Sequence, residues 1–589
     1  MPMTVDESEL DTVQDLLLKM KRLAHRKVYG NREFGSDSVV DNAKPISISY
    51  NQPDVKKELT PYLFEGDIFL NQKQAASILQ EFSRLPRKRR GKSRKARSFI
   101  ADPEARWDPT ETIRYRFHES LEFFAISQVI NAIQYWESHS CLSFEQVPGD
   151  LSDDEDFIEF FKGQGCYSMI GRNGGRQGVS IGDNCAKQGI VEHEVGHALG
   201  LWHEQSRPDA LNFIEVERDF ILPSFIGDFQ QRFDEIDTLG VPYDLGSVMH
   251  YGSTAFSTDQ KSKTILTRDP LYQSTIGQRE TLSFYDLQKI NIVYCADKCA
   301  GSGTQCANGG YPHPRKCSQC ICPTGFGGPN CEENEPSQNA DCGGVLNLGD
   351  DWMEFSSPDF PDPGFQPDQK CAWVMKAPAG LRVEMEFIED FSFLCTSICN
   401  DYVELKLAAD HKNTGFRFCC STMPTGSFVS ENHLAVAIFR SQIASDVGFK
   451  LRARATEMPA RTTPAPIQAT TVAPRITIEG TNIWADWGSW SECSRSCGGC
   501  GIRSRKRECR TKECDGKRQE FASCNLVACP VDKNCARLLS NQKVCAGGVC
   551  NKLGDVLSRC LEPQCCPPFY NNNGVCVNDA PTSGLTRRS

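Results

Sequence analysis

The chain has 589 residues, 30 of them cysteine, and a formal net charge of −11. Cysteines in that number persist where disulfides form, which argues against a reducing cytosol and for a secreted or surface protein. The acidic balance argues against nucleic acid as the main partner, and no stretch approaches about 18 uninterrupted apolar residues, so no transmembrane helix is expected.

Residues 1–140 have no cysteine. The first part of the chain, 1–97, must therefore hold together without disulfides or be discarded. Its start, MPMTVDESELDTVQDLLLKM, lacks a basic segment followed by a long apolar run, and reads as a chain without its signal peptide. Leu10, Val13, Leu16, Leu17, Met20 and Leu23 recur at helical spacing, the packing stripe of a prosegment helix. The run RLPRKRRGKSRKAR at 84–97 opposes the acidic trend. A nuclear or nucleic-acid patch is the ordinary reading of such a run. In a secreted chain, where the cysteine-free part meets the cysteine-bearing part, it reads instead as an exposed site for a basic-specific convertase. Cleavage is expected after Arg90 or Arg97. Arg97 is preferred because Ser98 lies closer to the next strand.

Residues 98–296 read as one mixed α/β domain of single-core size. Ile113, Tyr115 and Phe117 alternate with Arg114 and Arg116, a strand signal. Ile126, Val129, Ile130 and Ile133 describe an amphipathic helix. A Gly-rich GRNGGRQ and then HEVGHALGLWHE, residues 193–204, follow.

Six cysteines then fall between Cys299 and Cys331. So short a stretch cannot build a core without staples. The ending CICPTGFGGPNC resembles an epidermal-growth-factor (EGF)-like module, assigned to 297–333, and the resemblance implies Cys299–Cys317, Cys306–Cys320 and Cys322–Cys331. Residues 342–454 carry six more cysteines and the alternating runs RVEMEF, DYVELKL and LAVAIF, a β-sandwich pattern. DYVEL and the GFKLRA end resemble a CUB domain. That resemblance implies Cys342–Cys371 and points to Glu389 and Asp401 as calcium ligands, but Gln442 stands at the third acidic position, and losing one carboxylate weighs against Ca2+ there.

The Thr/Pro/Ala-rich stretch 455–480 cannot bury enough apolar surface to fold and reads as a mucin-like linker. In 481–530, Trp484, Trp487 and Trp490 are spaced by three, as in a three-stranded thrombospondin type-1 repeat. The resemblance implies that they stack alternately with Arg503, Arg505 and Arg507 as cation–π pairs. This segment and the tail 531–589 have seven cysteines each. Two odd counts suggest one disulfide joining them, with Cys500 the surplus residue. No fold is assigned to the tail.

The chemistry lies in HEVGHALGLWHE. Residues i and i+4 share a helix face, so His193 and His197 can hold one metal ion. Six further residues advance a helix by about 600°, which would turn His203 away. The chain must therefore leave the helix near Gly200, which takes a helix-ending left-handed conformation without steric cost. His203 then supplies a third nitrogen, and three protein ligands mark a catalytic zinc site. Glu194 is placed to accept a proton from water activated there and pass it to a leaving amine.

HEVGHALGLWHEQSRPD, with GCYSMIGRNGGRQ and SVMHY at 247–251, resembles the astacin family of metzincin zinc endopeptidases. The resemblance covers 98–296. It implies one Zn2+ on His193, His197 and His203, Glu194 as general base, and Met249 as the turn methionine beneath the metal. It also implies Tyr251 as an added zinc ligand that swings away to stabilise the oxyanion. Glu204 would bind the new N-terminal region after activation, and the disulfides would be Cys141–Cys295 and Cys166–Cys185. Ala210 and Leu211 depart from the family's usual charged residues. FEGD, within YLFEGDIFLNQ at 62–72, resembles the family's prosegment motif, which puts Asp67 on zinc in the latent form. Gly66 would let the backbone pass close to the metal, and Glu65 is expected to be dispensable for latency.

The expected architecture is thus multidomain. An α/β (α+β) metzincin-type protease precedes an EGF-like module, a β-sandwich CUB domain and a thrombospondin type-1 repeat. The expected function is a secreted zinc endopeptidase made as a zymogen. The module order resembles nematode astacins and suggests extracellular matrix or cuticle proteins as substrates. The alternative is a matrix adhesion protein with a dead protease scaffold. Such scaffolds usually lose the glutamate or a histidine, and this chain keeps Glu194 and all three.

Overall fold

The computed structural model describes residues 7–29, 61–83 and 97–460 apart from 148–151, 153, 234–235, 396–397 and 443–444. Further on it describes 485, 487–490, 501–507, 519–524, 544–546, 549–551, 570–572 and 575–577. The basic run as far as residue 96, Trp484, Cys500, the Thr/Pro-rich stretch from 461 onward and most of the tail lie outside the described residues.

The chain divides into two compact units, Met1–Pro466 and Ile467–Ser589. In the first, the N-terminal segment forms helix α1 (Glu7–Tyr29), the short strands β1 (Leu63–Phe64) and β2 (Ile68–Phe69), and helix α2 (Gln72–Ser83). Val13, Leu17, Met20 and Ala24 are the buried stripe of α1, and they belong to the same core as the catalytic part. This shared core holds the cysteine-free segment in place without disulfides.

The catalytic part follows with β3 (Arg97–Ile100), β4 (Ile113–Phe117), α3 (Phe123–His139), β5 (Phe144–Gln146), β6 (Phe157–Phe161), β7 (Cys166–Met169), β8 (Arg176–Ile181), α4 (Gln188–Ala198), β9 (Ile214–Val216), β10 (Ile236–Asp237), β11 (Ile265–Thr267) and α5 (Phe284–Tyr294). Its main sheet has the order β1-β2-β7-β8-β6-β4-β5. Strands β5, β4, β6 and β8 are parallel, β7 is antiparallel to β8, and the N-terminal segment's strand β2 adds to the edge parallel to β7, Ile68 opposite Ser168. The central β6, FIEFF, is buried throughout, as a strand covered on both faces requires. Helix α3 packs on α4, and Trp136 donates to the Glu192 carbonyl at 3.3 Å. Disulfides join Cys141 to Cys295 and Cys166 to Cys185.

Two small hairpins come next, β12 (Tyr311–His313) with β13 (Lys316–Ile321) and β14 (Phe326–Gly327) with β15 (Glu333–Asn334). They are stapled by Cys299–Cys317, Cys306–Cys320 and Cys322–Cys331. A two-sheet sandwich follows. Its strands are β16 (Gly344–Asn347), β17 (Met353–Ser356), β18 (Lys370–Lys376), β19 (Arg382–Ser392), β20 (Tyr402–Lys406), β21 (Phe416–Phe418), β22 (Phe428–Val429), β23 (Leu434–Arg440) and β24 (Gly448–Thr456). The sheets run β16-β18-β23-β20-β21 and β17-β24-β19-β22 around a core that includes Trp373, Phe387, Phe439 and Phe449. Cys342–Cys371, Cys395–Cys420 and Cys399–Cys419 cross-link it. Strand β24 runs to Thr456, two residues past the boundary expected at 454, because its alternation continues into Ala455.

The sandwich is docked on the protease. Tyr402 donates to Glu280 at 2.7 Å, Tyr285 to Asp410 at 3.0 Å, and Thr414 to Asp244 at 3.1 Å. Arg417, buried between Glu404 and Glu280 at 3.0 and 3.5 Å, joins the two. In the second unit β25 (Gly501–Lys506) pairs with β26 (Gln519–Cys524). Arg505 lies over Trp487 and Trp490 at 5.2 and 4.7 Å, and Arg507 over Trp487 at 4.4 Å, an alternating cation–π stack. The tail contains two further hairpins, Val544–Ala546 with Val549–Asn551 and Tyr570–Asn572 with Val575–Val577.

Candidate metal centre

Helix α4 carries His193 and His197, and every residue from Gly189 to Ala198 is buried. It ends at Gly200, whose φ is +105°. The Leu201 amide reaches back to the Gly196 carbonyl at 2.9 Å, and the Gly200 amide to the His197 carbonyl at 2.8 Å. A Cβ at Gly200 would also lie 2.7 Å from Ile100 of β3. The turn brings His203 back beside the helix, with ring centroids 5.3 Å from His193 and 4.8 Å from His197.

The three rings are fully buried and each is fixed from outside through Nδ1. His193 Nδ1 lies 2.9 Å from the Val248 carbonyl, His197 Nδ1 2.7 Å from the Leu201 carbonyl, and His203 Nδ1 2.8 Å from Glu65 Oε2. Protons on Nδ1 leave the Nε2 lone pairs converging, the arrangement that outer partners impose on metal-ligating histidines. Asp67 lies at their focus. Its carboxylate oxygens are 3.3 Å from His193 Nε2, 3.6 Å from His197 Nε2 and 3.1 Å from His203 Nε2. Among the described residues this is the group of histidine and acidic ligands that can hold a metal, its donor atoms all within 4.8 Å of one another. Three imidazoles and a carboxylate suit zinc. Glu389 and Asp401 belong to no such group. The Glu389 carboxylate accepts from Lys450 at 2.7 Å, and Asp401 accepts the Gln442 amide at 2.5 Å.

Glu194 is buried, with neither carboxylate oxygen hydrogen-bonded. Burial, and then the Asp67 charge, push it well above the ordinary carboxylate range. Burial would raise Asp67 too, but its approach to the three histidine rings holds it well below. Met249 is buried beneath the helix, and a Cβ at Gly196 would lie 3.2 Å from its sulfur, so the glycine admits the methionine. Asp286, in the capping box of α5, accepts from Ser247 at 2.6 Å and the Val248 amide at 2.9 Å and so anchors SVMHY. The Tyr251 hydroxyl is turned to the Glu65 carbonyl. Glu204 is buried between Arg207 at 3.0 Å and Lys289 at 2.7 Å, and those charges hold its carboxyl down against the burial that would raise it. Ala210 is buried and Leu211 exposed at their turn.

Glu65 is held by more contacts than its motif alone implies. Its backbone is left-handed, φ +49°, a strain of about 1–3 kcal/mol that persists only when contacts over-determine it. Besides His203, its carboxylate accepts from Ser206 at 2.7 Å and from Arg232 Nε and Nη2 at 2.9 and 2.8 Å. Arg232 and the buried Arg279, which donates to the His250 carbonyl at 3.1 Å, carried no signal in the sequence. Neither lies in a pattern of recognisable spacing. Glu65 lay inside a quoted motif but its partners are distant in the chain.

Residues 99–295 match the model of the astacin peptidase family, 342–452 the CUB domain, and 485–529 the thrombospondin type 1 domain. The chain is 63% identical over 577 residues to zinc metalloproteinase nas-36 of Haemonchus contortus, covering 98% of this chain and 94% of that one. It is 60% identical over 575 residues to zinc metalloproteinase nas-36 of Caenorhabditis elegans, covering 98% and 92%. Among solved structures, high choriolytic enzyme 1, a hatching enzyme zinc-protease of medaka (Oryzias latipes), is 30% identical over 33% of this chain and 94% of its own, with a TM-score of 0.29.

Proposed function

The chain belongs to the astacin family of zinc metalloendopeptidases, and on that basis we propose that it is a secreted zymogen whose released form cleaves proteins of the extracellular matrix or cuticle. The observation that carries the latency is the Asp67 carboxylate within 3.1–3.6 Å of three histidine nitrogens. The CUB and thrombospondin modules support an extracellular setting, and their order after the protease supports a matrix role.

His193, His197 and His203 would hold the zinc. When bound, zinc supplies Lewis acidity and lowers the pKa of water in the site. Asp67 fills the position that water and the scissile carbonyl require, so hydrolysis waits on its departure. Prosegment strand β2 also occupies the edge beside β7, where an extended substrate can add by backbone hydrogen bonds. Once the prosegment leaves, Glu194 accepts the proton of the attacking water and delivers it to the leaving amine. Tyr251, freed from the Glu65 carbonyl, donates its hydroxyl to the developing oxyanion. Met249 and Asp286 keep the floor of the site rigid. Glu204, on the third histidine's turn, receives the new N-terminal region.

Treating the purified proenzyme with a basic-specific convertase tests this reading. A product starting between Gly91 and Ser98, with peptidase activity that a strong chelator abolishes, is expected. A start well outside that window, or activity that resists chelation, would overturn it.

A further inference from the structure

We propose that Glu280 is a positioning residue for the catalytic centre, and that the sandwich module acts on turnover through it. Tyr402 and Arg417 hold residues 278–282 against the SVMHY turn and helix α4. The inference rests on the peptidase reading above.

Glu280 stands where three modules meet. Its Oε2 accepts from the Tyr402 hydroxyl at 2.7 Å and lies 3.5 Å from Arg417 Nη1, and its Oε1 lies 4.0 Å from Arg440 Nε. Among the described residues, the partners of this carboxylate thus all come from the sandwich. Each arginine also has a second carboxylate. Arg417 Nε pairs with Glu404 at 3.0 Å, and Arg440 Nη2 with Glu335 of the hairpin module at 2.7 Å. Arg417 also stacks on the Tyr402 ring at 4.0 Å, which fixes the phenol beside Glu280. Tyr402 is 2% exposed and Arg417 8%, so solvent screens the cluster little.

The neighbours of Glu280 face the chemistry. Arg279 Nη1 donates to the carbonyl of His250, the residue before Tyr251, at 3.1 Å. Gln278 Nε2 donates to the Gly246 carbonyl at 2.9 Å, just ahead of Ser247. The Thr281 hydroxyl and the Leu282 amide both donate to Glu192 Oε2, at 2.8 and 3.0 Å, and Glu192 precedes His193 on α4. Backbone also packs directly on backbone. A Cβ at Gly189 of α4 would lie 2.3 Å from the Arg279 carbonyl oxygen, and one at Gly277 2.4 Å from Gly252 Cα. So close a contact passes a displacement on rather than absorbing it. A shift of residues 278–282 therefore moves the carbonyl behind Tyr251 and the helix that carries two of the histidines.

The full released enzyme, all modules attached, is assayed on a short quenched peptide. Tyr402→Phe removes one hydroxyl and Glu280→Ala the carboxylate. Arg417 and Arg440 keep Glu404 and Glu335 in both variants, so neither change strands a buried charge. Turnover is expressed per bound zinc, which takes unfolded or empty enzyme out of the comparison. In both variants kcat is expected to fall by about 3- to 30-fold, the range of a coupling carried through packed residues, with KM unchanged. Glu280→Gln, whose amide oxygen still accepts from Tyr402, should recover part of the loss. In a Tyr251→Phe background Tyr402→Phe should cost little more, because residues that act as one unit are not additive. Unchanged kcat per zinc in both variants, even with a lowered thermal midpoint, would overturn the proposal and leave the contact as docking alone. So would a loss confined to KM, or an undiminished further loss in the Tyr251→Phe background. Absence of cleavage by the wild-type released enzyme would refute the peptidase reading and this proposal with it, whereas an active wild type that its variants match refutes the positioning alone.

Discussion

The Tyr251 hydroxyl donates to the backbone carbonyl of Glu65 at 2.5 Å, while its ring lies against His203 with centroids 4.7 Å apart. The N-terminal segment thus holds this tyrosine by main chain, next to a metal-binding histidine. For the released enzyme, Tyr251→Phe is expected to lower kcat by about 10²–10³ with little change in KM, the cost of one oxyanion donor. Zinc content should be unchanged. A kcat within about threefold of wild type would make the tyrosine a packing residue.

Glu194→Gln preserves the shape of the buried side chain but cannot accept a proton. Turnover should fall by about 10²–10⁴, with the metal retained. Elemental analysis beside steady-state kinetics separates loss of the base from loss of the zinc.

Asp67→Ala should give an uncleaved proenzyme with measurable peptidase activity, because the carboxylate at the histidines is removed. Glu65→Ala is expected to leak as well, contrary to what the motif alone suggests. It strips the carboxylate from Arg232, Ser206 and His203, and an unpaired buried charge costs about 3–5 kcal/mol. Assay of both variants with the basic run blocked by substitution decides the point. If uncleaved Asp67→Ala is as silent as wild type, steric cover alone explains latency.

One zinc per catalytic domain is expected by elemental analysis. Chelation should abolish activity of the released enzyme, and added zinc should restore it. Because the metal binds the folded state, its removal should also lower the thermal midpoint, by about 2.7 kcal/mol of stability for each hundredfold of ligand over Kd. Activity persisting in metal-free enzyme would contradict the reading.

His411, buried beneath the sandwich with Phe326 of the hairpin module 5.7 Å from its ring, gives a pH test away from the active site. Burial, and then the charge of Lys406, push it down to about 4. The depressed folded value means that its contribution is complete above the unfolded value near 6.5 and is lost as pH falls toward 4. The loss approaches about 3 kcal/mol. Thermal unfolding between pH 7 and pH 4 should therefore show a shallower decline for His411→Gln than for wild type. Parallel curves would mean that His411 is not the titrating group.

Local chemistry fixed much of this protein. The spacing of His193 and His197 on one helix face, the glycine that must end that helix, and the return of His203 follow from helix geometry alone. In the fold, Gly200 has a left-handed φ of +105°, and a Cβ there would lie 2.7 Å from Ile100, which leaves no room for a side chain. The cysteine clusters, the alternating sandwich strands and the tryptophan spacing were likewise legible, because each is a short-range pattern with one physical reading. The partnership of residues far apart in the chain was not. Glu65 meets Arg232 across 167 residues, and Arg279 reaches the His250 carbonyl behind the histidines; neither separation leaves a periodic trace. The docking of the sandwich through Tyr402 and Arg417 on Glu280 was equally hidden, since a buried ion pair looks in sequence like any surface charge. Sequence decided which groups could do the chemistry. Only tertiary packing, by shutting water out and bringing Asp67 to all three histidines and Glu65 to His203, decided which of those groups meet.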